Sequence, residues 1–95
     1  MSQPHLIIAA FSPEINAILD VIGAENGWQA KSSDGVSYWS GNVGSRELIV
    51  IESGISLVNA AMTLQFAINR FDVASVFTAG ISGGVDPNLS VGDVV

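Results

Sequence analysis

The stretch HLIIAAFSPEINAIL, residues 5–19, joins an apolar run to the start of a helix. The run His5–Phe11 is short and apolar, which is typical of a strand buried on both faces. Ser12 is a candidate N-cap, Pro13 suits the first helical position, and Glu14 lies in the first turn. Apolar residues then recur at helical spacing, at Ile15, Ile18, Leu19 and Ile22. The stretch therefore predicts a buried strand followed by an amphipathic helix.

The next segments predict the end of this helix and a hairpin. Gly23 and Gly27 are expected to close the helix. Val36–Gly41 and Glu47–Glu52 have the pattern of two strands, joined near Asn42–Ser45.

A longer helix and a further strand follow. Residues 53–71, SGISLVNAAMTLQFAINRF, form the longest helix candidate, with one apolar stripe at Leu57, Ala61, Leu64 and Ile68. Residues 73–80 predict a β-branched strand, and a last strand is expected to begin near Asp93. The resulting order, β-α-β-β-α-β, predicts an α/β layered fold with a largely parallel sheet.

The composition limits the possible partners. Of the 95 residues, 48% are hydrophobic and only 13% are charged, whereas a typical soluble domain has about 25% charged residues. We therefore expect the interior-rich part of a larger domain, or one side of a large interface. The net charge of −6 argues against nucleic acid or an anionic membrane surface as a partner.

The sequence contains no cysteine and a single histidine, His5. This argues against a disulfide framework and against a metal site, and we expect no cofactor. No apolar run reaches about 18 residues, the length of a membrane-spanning helix, and the N-terminus lacks the pattern of a secretory leader. A cytoplasmic protein is the resulting expectation.

The stretch FTAGISGGVDPNLSVGDVV, residues 77–95, carries three glycines after an apolar run, namely Gly80, Gly83 and Gly84. A dinucleotide-binding loop would open a helix, but the turn signal Asp86–Asn88 follows instead. A phosphate-binding loop would need a lysine after its glycines, and none is present. Two interpretations remain: the glycines only turn the backbone with positive φ angles, or they border a ligand pocket.

The positions of three loops favour the pocket. Residues 11–14, 53–56 and 80–84 each follow a predicted strand, and they carry a carboxylate, small residues and backbone amides. In open α/β sheets, ligands bind beyond the carboxyl ends of the strands. We therefore expect the three loops to line one pocket.

Three motifs resemble the nucleoside phosphorylase/nucleosidase superfamily, most closely its methylthioadenosine/S-adenosylhomocysteine nucleosidase branch. ESGISLVNAA (residues 52–61) is similar to the family's SGIGKVNAA, IIAAFSPEI (7–15) to its opening IIGAMEEEV, and residues 78–95 to its glycine segment. The resemblance implies a three-layer α/β/α sandwich with a mixed, largely parallel central sheet. It also implies hydrolysis of the N-glycosidic bond of a purine nucleoside, in a homodimer. Because members are usually much longer, residues 1–95 are expected to be the N-terminal part of a single domain and inactive alone.

The resemblance also implies roles for individual residues. Glu14 matches the carboxylate that activates the attacking water, although an acidic residue in the first turn also stabilises a helix without any catalytic role. Nucleoside contacts are implied for Phe11 (the sugar or 5′-substituent), for Ile55 (an apolar wall), and for Ile81, Ser82 and Gly83 (the base and the ribosyl centre).

Departures from the family pattern leave the substrate open. Ile81 stands where many members carry a serine or threonine, and Ser56 and Leu57 replace a glycine and a lysine. A phosphate-dependent phosphorylase is an alternative, but the loop AAFSPE offers no arginine for phosphate. A catalytically silent nucleoside-binding or storage relative is the other alternative.

Overall fold

The computed structural model describes residues 3–22, 28–33, 35–82 and 84–95. These residues form strands and helices in the order β1 (His5–Ala9), α1 (Ser12–Val21), β2 (Gln29–Ser33), β3 (Val36–Val43), β4 (Arg46–Glu52), α2 (Leu57–Phe71) and β5 (Ser75–Thr78).

The strands form one mixed sheet in the order β2-β3-β4-β1-β5. β1 lies at the centre of the parallel part, because it pairs in parallel with β4 on one side and with β5 on the other. β3 pairs in antiparallel with β2 on one side and with β4 on the other. The mixed sheet of the sequence prediction is confirmed, and its parallel pairing is confined to β4, β1 and β5.

The two helices cover opposite faces of this sheet. On one face, Leu6 and Ile8 of β1 pack with Ala67 of α2. On the other face, Ala9 of β1 packs with Ile15 of α1. Successive residues of a strand point to opposite faces, so both faces of β1 are buried, as its apolar sequence predicted. The arrangement is the three-layer α/β/α sandwich expected from the sequence.

β2 was not predicted from the sequence. Its residues, QAKSS, are polar except for Ala30 and are largely exposed, so they show no apolar alternation. The strand exists because its backbone pairs with β3 from Gln29 opposite Ser40 to Ser33 opposite Val36. The predicted hairpin is confirmed, with longer strands and a tight turn at Gly44 and Ser45 between β3 and β4.

The start of α1 differs from the prediction by one residue. Ser12 was predicted to be the N-cap, but the N-cap is Phe11, and no side-chain cap hydrogen bond is present at this residue. Its carbonyl oxygen accepts hydrogen bonds from the amides of Glu14 and Ile15 at 3.1 and 3.2 Å. The predicted closing residues, Gly23 and Gly27, lie outside the described residues.

The predicted start of α2 is wrong, and of its predicted apolar stripe Leu64 packs against the core whereas Leu57 does not. Residues 53–56 form a loop, because Gly54 and Ser56 have φ angles of 80° and 114°, which a helix excludes. Leu57 is 90% exposed, although it belonged to the predicted apolar stripe. The helix instead buries Thr63 and Ala67, because small side chains let it lie close to the sheet.

Residues 93–95 do not form the predicted last strand. They have no strand partner among the described residues, and Asp93 closes a turn instead. Its amide donates to the Ser90 carbonyl oxygen at 3.1 Å, and its Oδ2 accepts from the Ser90 amide at 2.8 Å.

Neither α1 nor α2, the helices of the described ranges, is long and apolar enough to cross a membrane.

Ser56, the N-cap of α2, has an unusual backbone conformation. Its φ of 114° and ψ of 158° lie in a region that is occupied essentially by glycine alone. Its Oγ accepts a hydrogen bond from the Asn59 amide at 3.3 Å. The cap is therefore formed at the cost of backbone strain.

Replacing Ser56 with glycine should stabilise the protein. The strain amounts to about 1–3 kcal/mol, whereas a glycine N-cap is only a few tenths of a kcal/mol weaker than a serine. We expect Ser56→Gly to raise the free energy of unfolding by about 1 kcal/mol, measured by urea denaturation.

Ser37→Gly is the matched control for this change. Ser37 is exposed within β3, where glycine only adds backbone entropy to the unfolded chain. Here the same substitution should lower the free energy of unfolding by about 0.5 kcal/mol. A loss of stability in both variants would show that Ser56 is not strained.

Candidate active site

The carboxyl ends of β1, β4 and β5 meet at one edge of the sheet because these strands are parallel. The Ser53 amide donates to the Ala9 carbonyl oxygen at 2.8 Å, and the Ala79 amide to that of Ile8 at 3.1 Å. After β1 the chain enters α1 on one face, and after β4 it enters α2 on the other face. Such a divergence leaves a crevice between the loops, where α/β proteins bind ligands.

A cavity of about 550 Å³ occupies this crevice. Its walls come from the ends of β1 and β5, from the loop after β4 and from the first turns of α2. The lining residues are Ile8, Ala9, Ala10, Glu14, Ser53, Ala60, Ala61, Leu64, Thr78, Ala79, Gly80 and Ile81. Ala60 and Ala61 leave space at the N-terminal part of α2, because each side chain is a single methyl group.

The Glu14 carboxylate is held by two backbone amides. Its Oε1 accepts from the Ala10 amide at 2.9 Å, and its Oε2 accepts from the Ile81 amide at 2.8 Å. Glu14 is the third residue after the N-cap, so its side chain reaches back over the helix start, as in a capping box. Each oxygen of a carboxylate can accept more than one hydrogen bond, so the group can still bind a water molecule.

The surroundings of Glu14 complement its carboxylate, and the described lining of the cavity holds no second charged side chain. The amide donors and the N-terminus of α1 both complement a carboxylate. Of the described residues that line the cavity, Glu14 alone is ionisable. The three basic residues lie elsewhere: Lys31 in β2, Arg46 at the start of β4 and Arg70 in the last turn of α2.

The structure brings some of the predicted site residues together. Glu14 and Ile81 both line the cavity and share a hydrogen bond. The other described ones do not line it: Phe11 is half-buried as the N-cap of α1, Ile55 is 71% exposed before α2, and Ser82 is exposed. Gly83 lies outside the described residues. Nucleoside contacts at these positions stay predictions.

Several lining residues were not predicted from the sequence. They are small or apolar and carry no distinctive chemistry: Ala60, Ala61, Leu64 and Thr78. The adjacent alanines at the start of the longest helix were the available signal, because small residues leave room beside a helix. Within the described ranges, no group of three or more His, Cys, Asp or Glu side chains could hold a metal ion.

Comparison with known proteins identifies the family. A sequence profile of the phosphorylase superfamily matches residues 4–95, so the chain belongs to this superfamily. The 5′-methylthioadenosine/S-adenosylhomocysteine nucleosidase of Colwellia psychrerythraea is 37% identical over 91 residues, which cover 94% of this chain and 35% of the relative.

Solved structures agree with this assignment. A mutant of the corresponding Helicobacter pylori nucleosidase, with 5′-methylthioadenosine in its active site, matches with a TM-score of 0.84 at 28% identity. A mutant futalosine hydrolase of the same species matches with a TM-score of 0.82 at 27% identity. The matches cover 95% and 96% of this chain but only 38% and 40% of the solved chains. The chain thus spans little more than a third of the length of its relatives.

Glu14→Gln should destabilise the protein. An amide side chain has one acceptor oxygen and a donor NH₂ group, so one of the two backbone amides would face a donor. We expect the free energy of unfolding to fall by about 1–2 kcal/mol, measured by urea denaturation.

Glu47→Gln is the control, because Glu47 is an exposed residue of β4 that does not line the cavity. It should change the free energy of unfolding by less than about 0.5 kcal/mol. Equal effects of the two variants would mean that the amide contacts of Glu14 contribute nothing to stability.

Proposed function

We propose that this chain is the N-terminal part of a single nucleosidase domain that hydrolyses the N-glycosidic bond of a purine nucleoside. The preferred substrates are of the 5′-methylthioadenosine or S-adenosylhomocysteine type. The names of the relatives support the reaction class. The observation that carries the proposal is the Glu14 carboxylate, held by two amides on the wall of a cavity at the strand ends.

In the proposed reaction, Glu14 takes a proton from a water molecule. The water oxygen forms a bond to the anomeric carbon, and the bond from that carbon to the base nitrogen breaks. The electron pair of the broken bond goes to the base, which is protonated by a group outside these 95 residues. A general base contributes about 10²–10⁴-fold to such a rate.

Water is preferred to phosphate as the nucleophile. Of the described residues that line the cavity, none carries a positive charge. A phosphate charge about 4 Å from the Glu14 carboxylate would be repelled by about 4 kcal/mol at the effective dielectric constant of a protein surface. Phosphorolysis would therefore need cations from the remainder of the protein.

Adenine release tests the reaction. The complete protein should release free base from 5′-methylthioadenosine without phosphate, whereas residues 1–95 alone should release none. Dependence on added phosphate would identify a phosphorylase, and nucleoside binding without base release would identify a silent relative. Either of these results would refute the nucleosidase proposal.

Replacing Glu14 tests its role as the base. Glu14→Gln should lower kcat by at least about 10²-fold and retain nucleoside binding, measured by calorimetry. The matched variant Glu47→Gln should keep the rate of the wild type. Turnover at the wild-type rate in Glu14→Gln would exclude Glu14 from the mechanism.

The proposal includes a homodimer in the cytoplasm, with a place in methionine salvage. An exposed apolar stripe next to the cavity supports the dimer: Ile55, Val58 and Met62 are 71%, 67% and 66% exposed. A second copy of the protein would remove this surface from water.

Light scattering of the complete protein tests the dimer. The wild type should have the mass of two chains, and Met62→Glu should have the mass of one because a charge would be buried at the interface. Val43→Glu is the control and should remain a dimer. Val43 is the last residue of β3, is 41% exposed and does not belong to this stripe. A monomeric wild type would contradict the prediction.

A further inference from the structure

Gly80 follows β5 and lies against the Glu14 carboxylate. A Cβ atom added at Gly80 would lie 2.8 Å from Oε2 of Glu14 and 3.5 Å from its Cδ. The first distance is shorter than real Cβ atoms show, so any side chain at this position would displace the carboxylate. The glycine thus leaves free the space that the carboxylate occupies.

The backbone itself does not require a glycine at this position. The described glycines with positive φ are Gly35, Gly44, Gly54 and Gly92, and Gly80 is not among them. An alanine could therefore adopt the backbone conformation of Gly80 without strain. One interpretation of the sequence was that the glycines after β5 only turn the backbone with positive φ angles. Gly80 has no positive φ angle, so this interpretation does not explain Gly80.

Gly84 provides a comparison within the same segment. It also lacks a positive φ, but a Cβ atom there would meet only the Leu89 side chain, at an ordinary contact distance of 3.5 Å. Gly80 and Gly84, four residues apart, thus differ in whether a Cβ atom would fit. Only at Gly80 does the added atom collide with an ionisable group of the cavity.

We infer that Gly80 is a positioning residue for Glu14. The absence of a side chain allows Oε2 to reach the Ile81 amide, which fixes the carboxylate between the loops after β1 and β5. Its catalytic consequence rests on the proposed function, because it acts through Glu14. The Glu14 side chain is flexible, so a methyl group at position 80 turns the carboxylate away from Ile81 without disrupting the sheet.

Gly80→Ala in the complete protein is the test. A misplacement of a reacting group by about 1 Å can cost about 100-fold in rate. We expect kcat for 5′-methylthioadenosine hydrolysis to fall by about 10- to 100-fold, with KM changed by less than about threefold. A merely structural role would not produce this separation of kcat from KM.

The Ile81 amide proton gives a readout that is independent of catalysis. In the wild type, its NMR resonance should show the downfield shift of an amide that donates to a carboxylate, a shift that Glu14→Ala should remove. Gly80→Ala should abolish this shift, whereas the matched variant Gly84→Ala should retain it. If Gly80→Ala retains the shift, the inference is wrong, whether or not the wild type hydrolyses nucleosides. A wild type without turnover would refute the proposed function alone.

A double variant separates positioning from general damage to the fold. Once Glu14→Ala has removed the carboxylate, adding Gly80→Ala should lower neither the residual kcat nor the unfolding temperature any further. If Gly80→Ala alone fails to fold, restored folding in the double variant supports the collision with Glu14. Equal loss in both backgrounds overturns the inference. Loss of the NMR shift with wild-type kcat overturns its catalytic part, because the carboxylate has then moved without a loss of rate.

Discussion

The parallel pairing of β1 with both β4 and β5 is the constraint on which the rest of the structure depends. A strand in this position is buried on both faces, and Leu6 and Ile8 on one face alone each contribute about 1.5–3 kcal/mol by burial. β1 lies between β4 and β5 in the sheet, so the connection from β4 to β5 must cross over β1. This connection contains α2, which covers the face of Leu6 and Ile8. α1 covers the other face, so the loops diverge at the carboxyl ends and leave the cavity between them.

Glu14 connects this architecture to the chemistry of the cavity. One carboxylate oxygen closes the turn between β1 and α1 through the Ala10 amide, and the other joins that turn to the loop after β5 through the Ile81 amide. The stabilisation of the helix and the proposed catalytic role would thus use the same two hydrogen bonds. The group that would take a proton is therefore held by rigid backbone, which reduces the reorganisation needed during a reaction.

The sequence predicted those helices and strands whose residues show a local apolar or turn pattern. The apolar run of β1, the helix signals around Pro13 and the hairpin between β3 and β4 all have local patterns, and the structure contains each of them. β2 has no such pattern, because its polar residues are held only by backbone pairing to β3. The buried face of α2 was misjudged for a related reason: small residues such as Ala67 approach the sheet more closely than Leu57 could.

The sequence by itself determined the α/β class, the order of most elements and the family, because these depend on local periodicity and on short motifs. It also singled out Glu14, from its place in the first turn of a helix after a buried strand. Only the tertiary structure decided that this carboxylate meets the Ile81 amide, 67 residues further along the chain, and that a side chain at Gly80 would collide with it. Such contacts arise from the packing of distant strands side by side, and no local pattern of residues encodes them.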